Sequence, residues 1–313
     1  MPFAALHDDP LCPARAGRAA LAALAAAVFA LAHAGAHAET DKLLLTGGVT
    51  SIDGAAGGGL TPWAVIGSNA TEGELGATAT ATVISTRNYT MQVQGALLAF
   101  DDRYELSIAR QDFATEATGR ALGLPGLHLK MNVFGAKLRL LGDAVLDSDS
   151  WVPQVAAGVE VKQTDADALK PTLQALGAHT NGIDWYVSAT KLFLAQGVLV
   201  NGTLRMTSAN QNGLLGFGGA ANDKYRVEPE FLVAWLARRA LAFGAEYRRK
   251  PDNLNPSLLV AGLKEDDWAD LFMAWAPTKH VSLTIAYVQL GRIVPAVATK
   301  KQDGGYASAQ FAF

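Results

Sequence analysis

The stretch Ile183–Ser208, IDWYVSATKLFLAQGVLVNGTLRMTS, decides how this chain is built. Ile183, Trp185, Val187 and Ala189 alternate with Asp184, Ser188 and Thr190. After a tight turn near Gln196, Val200, Leu204 and Met206 alternate with Asn201, Thr203 and Arg205. Successive side chains of a strand point to opposite faces, so each run presents one greasy and one polar face. Two such runs joined by a short turn predict a hairpin.

The rhythm extends in both directions. Toward the N-terminus, Leu75, Ala77, Ala79, Ala81 and Val83 alternate with Gly76, Thr78, Thr80 and Thr82, and Tyr89, Met91 and Val93 with Thr90, Gln92 and Gln94. Across an Asp101-Asp102 turn, Tyr104, Leu106 and Ile108 oppose Arg103, Glu105 and Ser107, and further on Val155, Ala157, Val159 and Val161 oppose Gln154, Gly158, Glu160 and Lys162. Toward the C-terminus, Val227, Phe231 and Val233 oppose Arg226, Glu228 and Glu230, and Leu241, Phe243, Ala245 and Tyr247 face away from Gly244, Glu246 and Arg248. Val281, Leu283, Ile285 and Tyr287 repeat the pattern against Ser282 and Thr284, and the chain stops on Ala307, Ala309, Phe311 and Phe313 against Ser308 and Gln310.

The connections near Asp101, Gln196, Arg238 and Pro277 are tight, whereas 114–127, 164–182, 209–224, 251–266 and 291–303 are long and polar or glycine-rich. Short turns on one side and long loops on the other predict an all-β transmembrane antiparallel up-and-down β-barrel. A soluble β-sandwich would alternate as well, but it has no reason to segregate its loops by length. Counting back from Phe313 gives twelve strands beginning near Leu75, or fourteen if Leu43–Thr50 and Leu60–Ser68 also pair. Between those two lies Gly54–Pro62, GAAGGGLTP, where glycine weakens a strand and proline removes a ladder donor. The alternative is that this segment folds into the lumen.

Of the 313 residues, 50% are hydrophobic, 18% are charged and 31 are glycine, which argues against a disordered chain or a coiled coil. Lys+Arg 26 against Asp+Glu 29 leaves a formal charge of -3, so no basic field exists to hold nucleic acid. The longest clear apolar run after the front end, Phe231–Ala237, is far below the roughly 20 residues of a spanning helix.

The front end itself reads as a targeting segment. Ala19–Ala32 is uncharged and apolar, Arg15 and Arg18 precede it, and Ala36-His37-Ala38 supplies the small-x-small cleavage pattern. The run is too short for a membrane anchor, so 1–38 is expected to be a signal peptide, 39–74 an N-terminal glycine-rich segment forming a first hairpin or a lumen plug, and 75–313 the barrel. The one cysteine, Cys12, lies before the apolar run and leaves with it. Disulfides, thiolate zinc sites and cysteine nucleophiles are thereby excluded from the mature chain. The expected location is the outer membrane of a Gram-negative bacterium.

Aromatic residues are sorted by height. With the tight turns facing the periplasm, Tyr104, Trp151, Trp235, Trp275 and Phe313 form a lower belt, and Tyr89, Trp185, Tyr225, Tyr247 and Tyr287 an upper one, each in phase with the apolar face. Amphipathic rings favour the headgroup level, so two belts separated by small aliphatics fit a wall surrounded by outer-membrane lipids. The terminal Phe313 is the feature by which the outer-membrane assembly machinery would take this chain as a client. A homo-oligomer is left open.

Several stretches, TGGVTSIDGAAGGGLTPWAVIGS from Thr46, WYVSATKLFLAQGVLVNGTLR from Trp185, ANQNGLLGFGG from Ala209, AEYRRKPDNL from Ala245 and KEDDWADLFMAWAPTKHVSLTIAYVQLG from Lys264, together resemble a family of proteobacterial proteins catalogued as a domain of unknown function and presumed to lie in the outer membrane. The resemblance spans most of the mature chain and implies an outer-membrane protein, with no substrate or catalytic residue attached. The loop Asn255–Leu263 is longer than the family pattern.

The inward face is expected to carry Arg103, Glu105, Lys137, Arg139, Glu160, Lys162, Asp184, Arg205, Arg226, Glu228, Glu230, Glu246 and Arg248, mixed in sign. Such side chains either set the ion preference of a water-filled pore or fill a closed barrel as a polar core. Lys162, Arg205, Arg226, Arg248 and Lys250 fall toward the loop side and bias the mouth toward anions, a bias that Glu160, Glu228 and Glu246 dilute. His128, His179 and His280 are far apart and no Gly-x-Ser-x-Gly elbow is present, so a serine hydrolase has no visible active site. Glu265, Asp266, Asp267 and Asp270 could hold calcium, but they lack the glycine-spaced loop of a known site and read better as a solvated face. Gly216, Gly218 and Ala221 mimic part of a dinucleotide fingerprint without its strand-to-helix context. No cofactor and no metal is expected. The leading reading is a passive outer-membrane channel for small solutes; the alternatives are a closed barrel with a structural or surface-interaction role and, last, a lipid-modifying enzyme.

Overall fold

The computed structural model describes residues 42, 44, 45, 47, 49–145, 151–255 and 263–313. The segment read as a signal peptide, 1–38, and most of the loop Asn255–Leu263 lie outside the described residues. Two short strands, β1 (Val49–Thr50) and β2 (Ala56–Gly57), precede twelve long ones: β3 (Leu75–Thr86), β4 (Thr90–Phe100), β5 (Tyr104–Ala114), β6 (His128–Leu141), β7 (Gln154–Asp165), β8 (Asn181–Phe193), β9 (Val198–Thr207), β10 (Arg226–Arg238), β11 (Leu241–Arg248), β12 (Trp268–Thr278), β13 (Val281–Gly291) and β14 (Gln302–Ala312). Short helices α1 (Glu116–Ala121) and α2 (Lys170–Ala175) sit in the loops after β5 and β7.

Strands β3–β14 form a closed antiparallel barrel in chain order, sealed by β14 against β3 in the register Gly304↔Thr86 to Ala312↔Thr78. The seam ends on Phe313, whose N–H donates to the Ala77 carbonyl at 2.8 Å while the Ala77 N–H donates to the Phe313 carbonyl at 3.0 Å. Closure leaves no edge, so the wall satisfies its backbone groups without water and can stand in hydrocarbon. The hairpin β4–β5 turns on Asp101 and Asp102, at φ 59° and 44°. Two consecutive left-handed residues match the turn to the twist of the strands, the three-residue connection 101–103 closing with the Arg103 N–H on the Phe100 carbonyl at 3.1 Å, and aspartate tolerates that conformation.

Alternation sorts the side chains as the period of two requires. On β10, Val227, Phe231, Val233 and Trp235 point outward and exposed, while Glu228, Glu230, Leu232 and Ala234 are buried inside. Of the expected belts, Tyr104, Trp151, Trp185, Tyr225, Trp235, Tyr247, Trp275 and Tyr287 are all exposed on the outside. Phe313 is half-buried and stacks on His280 with ring centroids 5.8 Å apart.

Tyr89 corrects the expectation. It is 2% exposed, stacks on Phe113 at 5.0 Å and accepts a hydrogen bond from the Thr118 hydroxyl. With it Met91 and Val93 turn inward, and Gln92 and Gln94 outward, the reverse of the phase read from the sequence. The physical reason is a change of surroundings along one wall. In the loop-side half of β4, β5 and β6 the outward rows are Gln92↔Asp112↔Lys130 and Gln94↔Arg110↔Asn132. The inward faces there, with Met91, Val93, Phe113, Leu129, Met131 and Val133, pack under Leu173, Leu176, Leu214, Leu215 and Ile293 from the long loops. Above the apolar belt the wall is an ordinary sheet, wet outside and packed inside. Alternation reports two unlike faces but not which of them is the lumen.

Of Leu43–Thr50 and Leu60–Ser68, the described residues join no barrel strand. β1 pairs only with β2, Val49↔Gly57 and Thr50↔Ala56, and the run from Val49 to Ala70 is almost wholly buried within the barrel.

Candidate functional site

The lumen at mid-height is built from inward side chains of nearly every strand and from the main chain of the inserted segment. Glycine makes the close approach feasible: a Cβ at Gly58 would stand 1.8 Å from Glu246 Oε1, and one at Gly57 2.1 Å from the Thr61 carbonyl oxygen. The grip has five parts. Glu105 accepts from the N–H groups of Ala56 (3.0 Å) and Gly67 (2.8 Å), while Lys137 Nζ donates to the carbonyls of Ala56 (2.8 Å) and Val65 (2.9 Å) and pairs with Glu105 at 3.2 Å. Across the barrel Glu246 accepts from the Leu60 N–H (2.8 Å) and the Thr61 hydroxyl (2.6 Å).

A hydroxyl and amide group on β7, β8 and β9 holds the middle. Thr203 and Asn201 donate to the Pro62 carbonyl at 2.8 and 3.3 Å, and Thr190 and Gln154 take the N–H and the carbonyl of Ala64, each at 2.8 Å. At the tight-turn end Lys42 pairs with Asp102 at 2.6 Å and donates to the Ile66 carbonyl at 3.1 Å; Arg139 meets the same Asp102 at 2.6 Å.

The fifth part is an ionic cluster on the loop side of the segment. Arg205 bonds Glu160 (2.6 Å) and Glu230 (2.7 Å), Lys162 pairs with Asp184 (2.9 Å) and Glu160 (3.3 Å), and Arg248 pairs with Glu230 (3.1 Å). Into it the segment sends Asp53, which pairs with Arg248 at 2.9 Å and Lys162 at 3.5 Å and accepts from the amides of Asn212 (2.7 Å) and Gln111 (3.1 Å). Asn212 belongs to the β9–β10 loop and reaches down through a left-handed residue at φ 62°. Its side-chain Oδ1 accepts from Arg248 (2.6 Å) and Lys162 (2.9 Å).

Ten of the charges expected inside are therefore in place and buried: Glu105, Lys137, Glu160, Lys162, Asp184, Arg205, Glu228, Glu230, Glu246 and Arg248. Arg139 sits part-buried at the tight-turn mouth. Two differ. Arg103 belongs to the β4–β5 turn and lies exposed beside the Tyr104 ring, 5.9 Å from its centroid. Arg226 is exposed at the loop rim. Both occupy the ends of strands, where the period of two no longer has a lumen to point into. The residues missed by sequence reasoning are Asp53, Gln111, Asn212 and the hydroxyl group of β8 and β9. The available signal was the solitary carboxylate in the otherwise uncharged run Val49–Ala70.

The remaining candidates are dispersed. His128 pairs with Asp112 on the outer surface at 2.5 Å, His179 lies 3.8 Å from Asp223 in a loop, and His280 Nδ1 faces the Ala312 carbonyl at 2.8 Å. Among the described residues no histidine ring bonds a serine, and no group of three or more acidic or histidine side chains is placed to hold a metal. The four clustered carboxylates part company: Glu265 accepts from the Gln211 N–H, Asp266 pairs with Arg292 at 2.7 Å, Asp267 accepts from the Tyr247 hydroxyl, and Asp270 faces Glu246 across the ladder. Burial raises the Glu265 carboxyl to about 7 and lowers the Lys250 ammonium, 3.5 Å away, to about 8.

The fold and the site define a closed twelve-strand β-barrel whose charged lumen holds its own N-terminal segment. Over residues 46–310 the chain matches the family described as "Protein of unknown function (DUF3034)", and it belongs to that family. No curated protein matches it. Among solved structures it is similar to the KdgM porin (8% identity, TM-score 0.46, 75% of this chain and 99% of that one) and the NanC porin (7%, 0.47, 75% and 98%). It is also similar to the outer membrane phospholipase A from Escherichia coli (10%, 0.40, 76% and 92%).

Proposed function

We propose that this chain is a channel for small hydrophilic solutes in the outer membrane of a Gram-negative bacterium, closed by its N-terminal segment and opened when that segment shifts. One observation carries the reading: the wall holds the segment's main chain through charged, hydroxyl and amide side chains, beside smaller apolar contacts of Trp63 and Val65 with Leu192, Leu199 and Leu232 and of Ile66 with Leu97. Each hydrogen bond to the segment's backbone is exchanged for one to water at a net cost of about 1 kcal/mol, so no single one of them locks the segment in place. The wall left behind, with Glu105, Lys137, Glu160, Lys162, Arg205 and Glu246, is hydrophilic and would line a water-filled path. The exposed aromatic belts meet lipid headgroups, and the Phe313 end is the part the assembly machinery engages. Among the described residues no histidine ring bonds a serine, which favours a channel over a lipid-modifying enzyme.

The second reading, a sealed barrel with a structural or surface role, is favoured by the apolar packing of the loops above the segment. Full-length protein in planar bilayers separates the two. Stepwise currents interrupted by long closures support the channel; silence over many independent insertions, with the barrel shown to be folded, refutes it.

A further inference from the structure

Asp53 is the one charged residue of the inserted run Val49–Ala70, and every donor to its carboxylate comes from outside that run. The two oxygens are served differently. Oδ1 accepts from the side-chain amides of Gln111 on β5 (3.1 Å) and Asn212 on the β9–β10 loop (2.7 Å). Oδ2 faces the cations, Arg248 on β11 at 2.9 Å, Lys162 on β7 at 3.5 Å and Arg205 on β9 at 4.0 Å. A planar group with two amide donors on one oxygen and a guanidinium on the other is the arrangement that receives a carboxylate, and all of it belongs to the wall and the loop above.

The charge balance fits a removable occupant. The three cations are matched by three wall acids, Glu160, Asp184 and Glu230, so Asp53 is the surplus anion of the cluster. When the segment withdraws, Lys162 keeps Asp184 and Glu160, and Arg205 keeps Glu160 and Glu230. Arg248, however, loses both Asp53 and the Leu60 carbonyl, and Gln111 loses both Asp53 and the Ile52 carbonyl. Arg248, Gln111 and Asn212 are then donors without acceptors on the segment, clustered at one place in the lumen.

We infer that these residues form a binding site for the carboxylate group of a small solute, and that Asp53 occupies it as a tethered stand-in for that solute when the channel is closed. A solute carboxylate and the segment compete for the same donors, so the solute that passes is the one that helps to release the segment. Passage rests on the channel reading above; occupancy of the site does not, and the two are tested apart.

The test of occupancy is chemical rescue in the full-length, detergent-folded protein. Asp53→Ala removes the carboxylate and leaves its space, which formate fits. Formate is expected to raise the melting temperature of D53A saturably, by roughly 2–4 °C, with chloride at equal ionic strength and the wild-type protein both unresponsive. Asp53→Asn keeps the space filled and is expected to show no rescue. Perchlorate, a tetrahedral anion, as effective as formate would show a site that reads charge alone, and no formate response in D53A would show no site at all; either result overturns the inference. Should D53A fail to fold, the wild-type protein supplies the readout without any current: saturating formate is expected to speed hydrogen exchange of the 49–70 segment several-fold relative to chloride, and unchanged exchange overturns the inference.

Discussion

In the channel proposed above, replacing Lys137 by Met should open the lumen without unfolding the barrel. Lys137 and Glu105 are each about 1% exposed in their side chains, and together they take two carbonyls and two N–H groups of the inserted segment. Met fills the volume of the lysine stem but leaves Glu105 as an unpaired buried charge and strips the Ala56 and Val65 carbonyls of their donor. Breaking a buried pair from one side costs about 3–5 kcal/mol. That cost falls on the closed state alone, because water solvates Glu105 once the segment has left. At 1.4 kcal/mol per factor of ten, the closed-to-open ratio should fall roughly a hundredfold to a few thousandfold. Glu105→Gln added to K137M removes the unpaired charge and should recover part of the loss, the signature of a coupled pair. Single-channel recording gives the ratio directly, and heat-modifiable migration on gels confirms an intact barrel. An open fraction for K137M within about twofold of wild type, in folded protein, would refute the claim that this pair holds the segment in place.

Gly57→Val should also raise the open fraction, since its Cβ would meet the Thr61 carbonyl oxygen at 2.1 Å and a backbone atom cannot step aside; recordings matching wild type would count against the seated conformation. On the outer wall, Phe231→Arg places a cation between the aromatic belts and should cost about 2–4 kcal/mol in folding titrations with lipid vesicles, whereas Gln94→Arg, in the polar rows of β4, should cost close to nothing. Equal costs would mean that the apolar belt has been drawn at the wrong height. The loop cap should depend on pH through Glu265. Folded Glu265 holds its proton up to about 7 whereas the unfolded group releases it near 4.5, so between those values the folded state binds more protons and cap stability falls as pH rises. The slope is at most about 1.4 kcal/mol per unit. Lys250, lowered to about 8 from 10.5, acts in the opposite sense over that higher window. Urea midpoints read from Trp fluorescence should lose the acid-side slope in Glu265→Gln; an unchanged slope would assign it to other groups.

The strands were legible because a wall between lipid and a polar lumen imposes a period of two on every segment it contains. Val227, Phe231, Val233 and Trp235 against Glu228 and Glu230 need no tertiary knowledge to be read, and the same pattern placed Glu105, Lys137, Arg205, Glu246 and Arg248 inside. It failed at Tyr89, Met91 and Val93, where the lumen is the apolar side, and at Arg103 and Arg226, where a strand end leaves no inside to face.

The sequence by itself determined the architecture, because alternation and loop length are local properties carried by each hairpin independently. Which charges meet, and what they hold, was decided by the tertiary structure alone. Asp53 and Arg248 stand 195 residues apart, and Leu60 and Glu246 are 186 apart. Only closure of the barrel around the glycine-rich segment sets the donors of five elements about one carboxylate, and no local pattern records a contact between a strand and a chain that crosses its lumen.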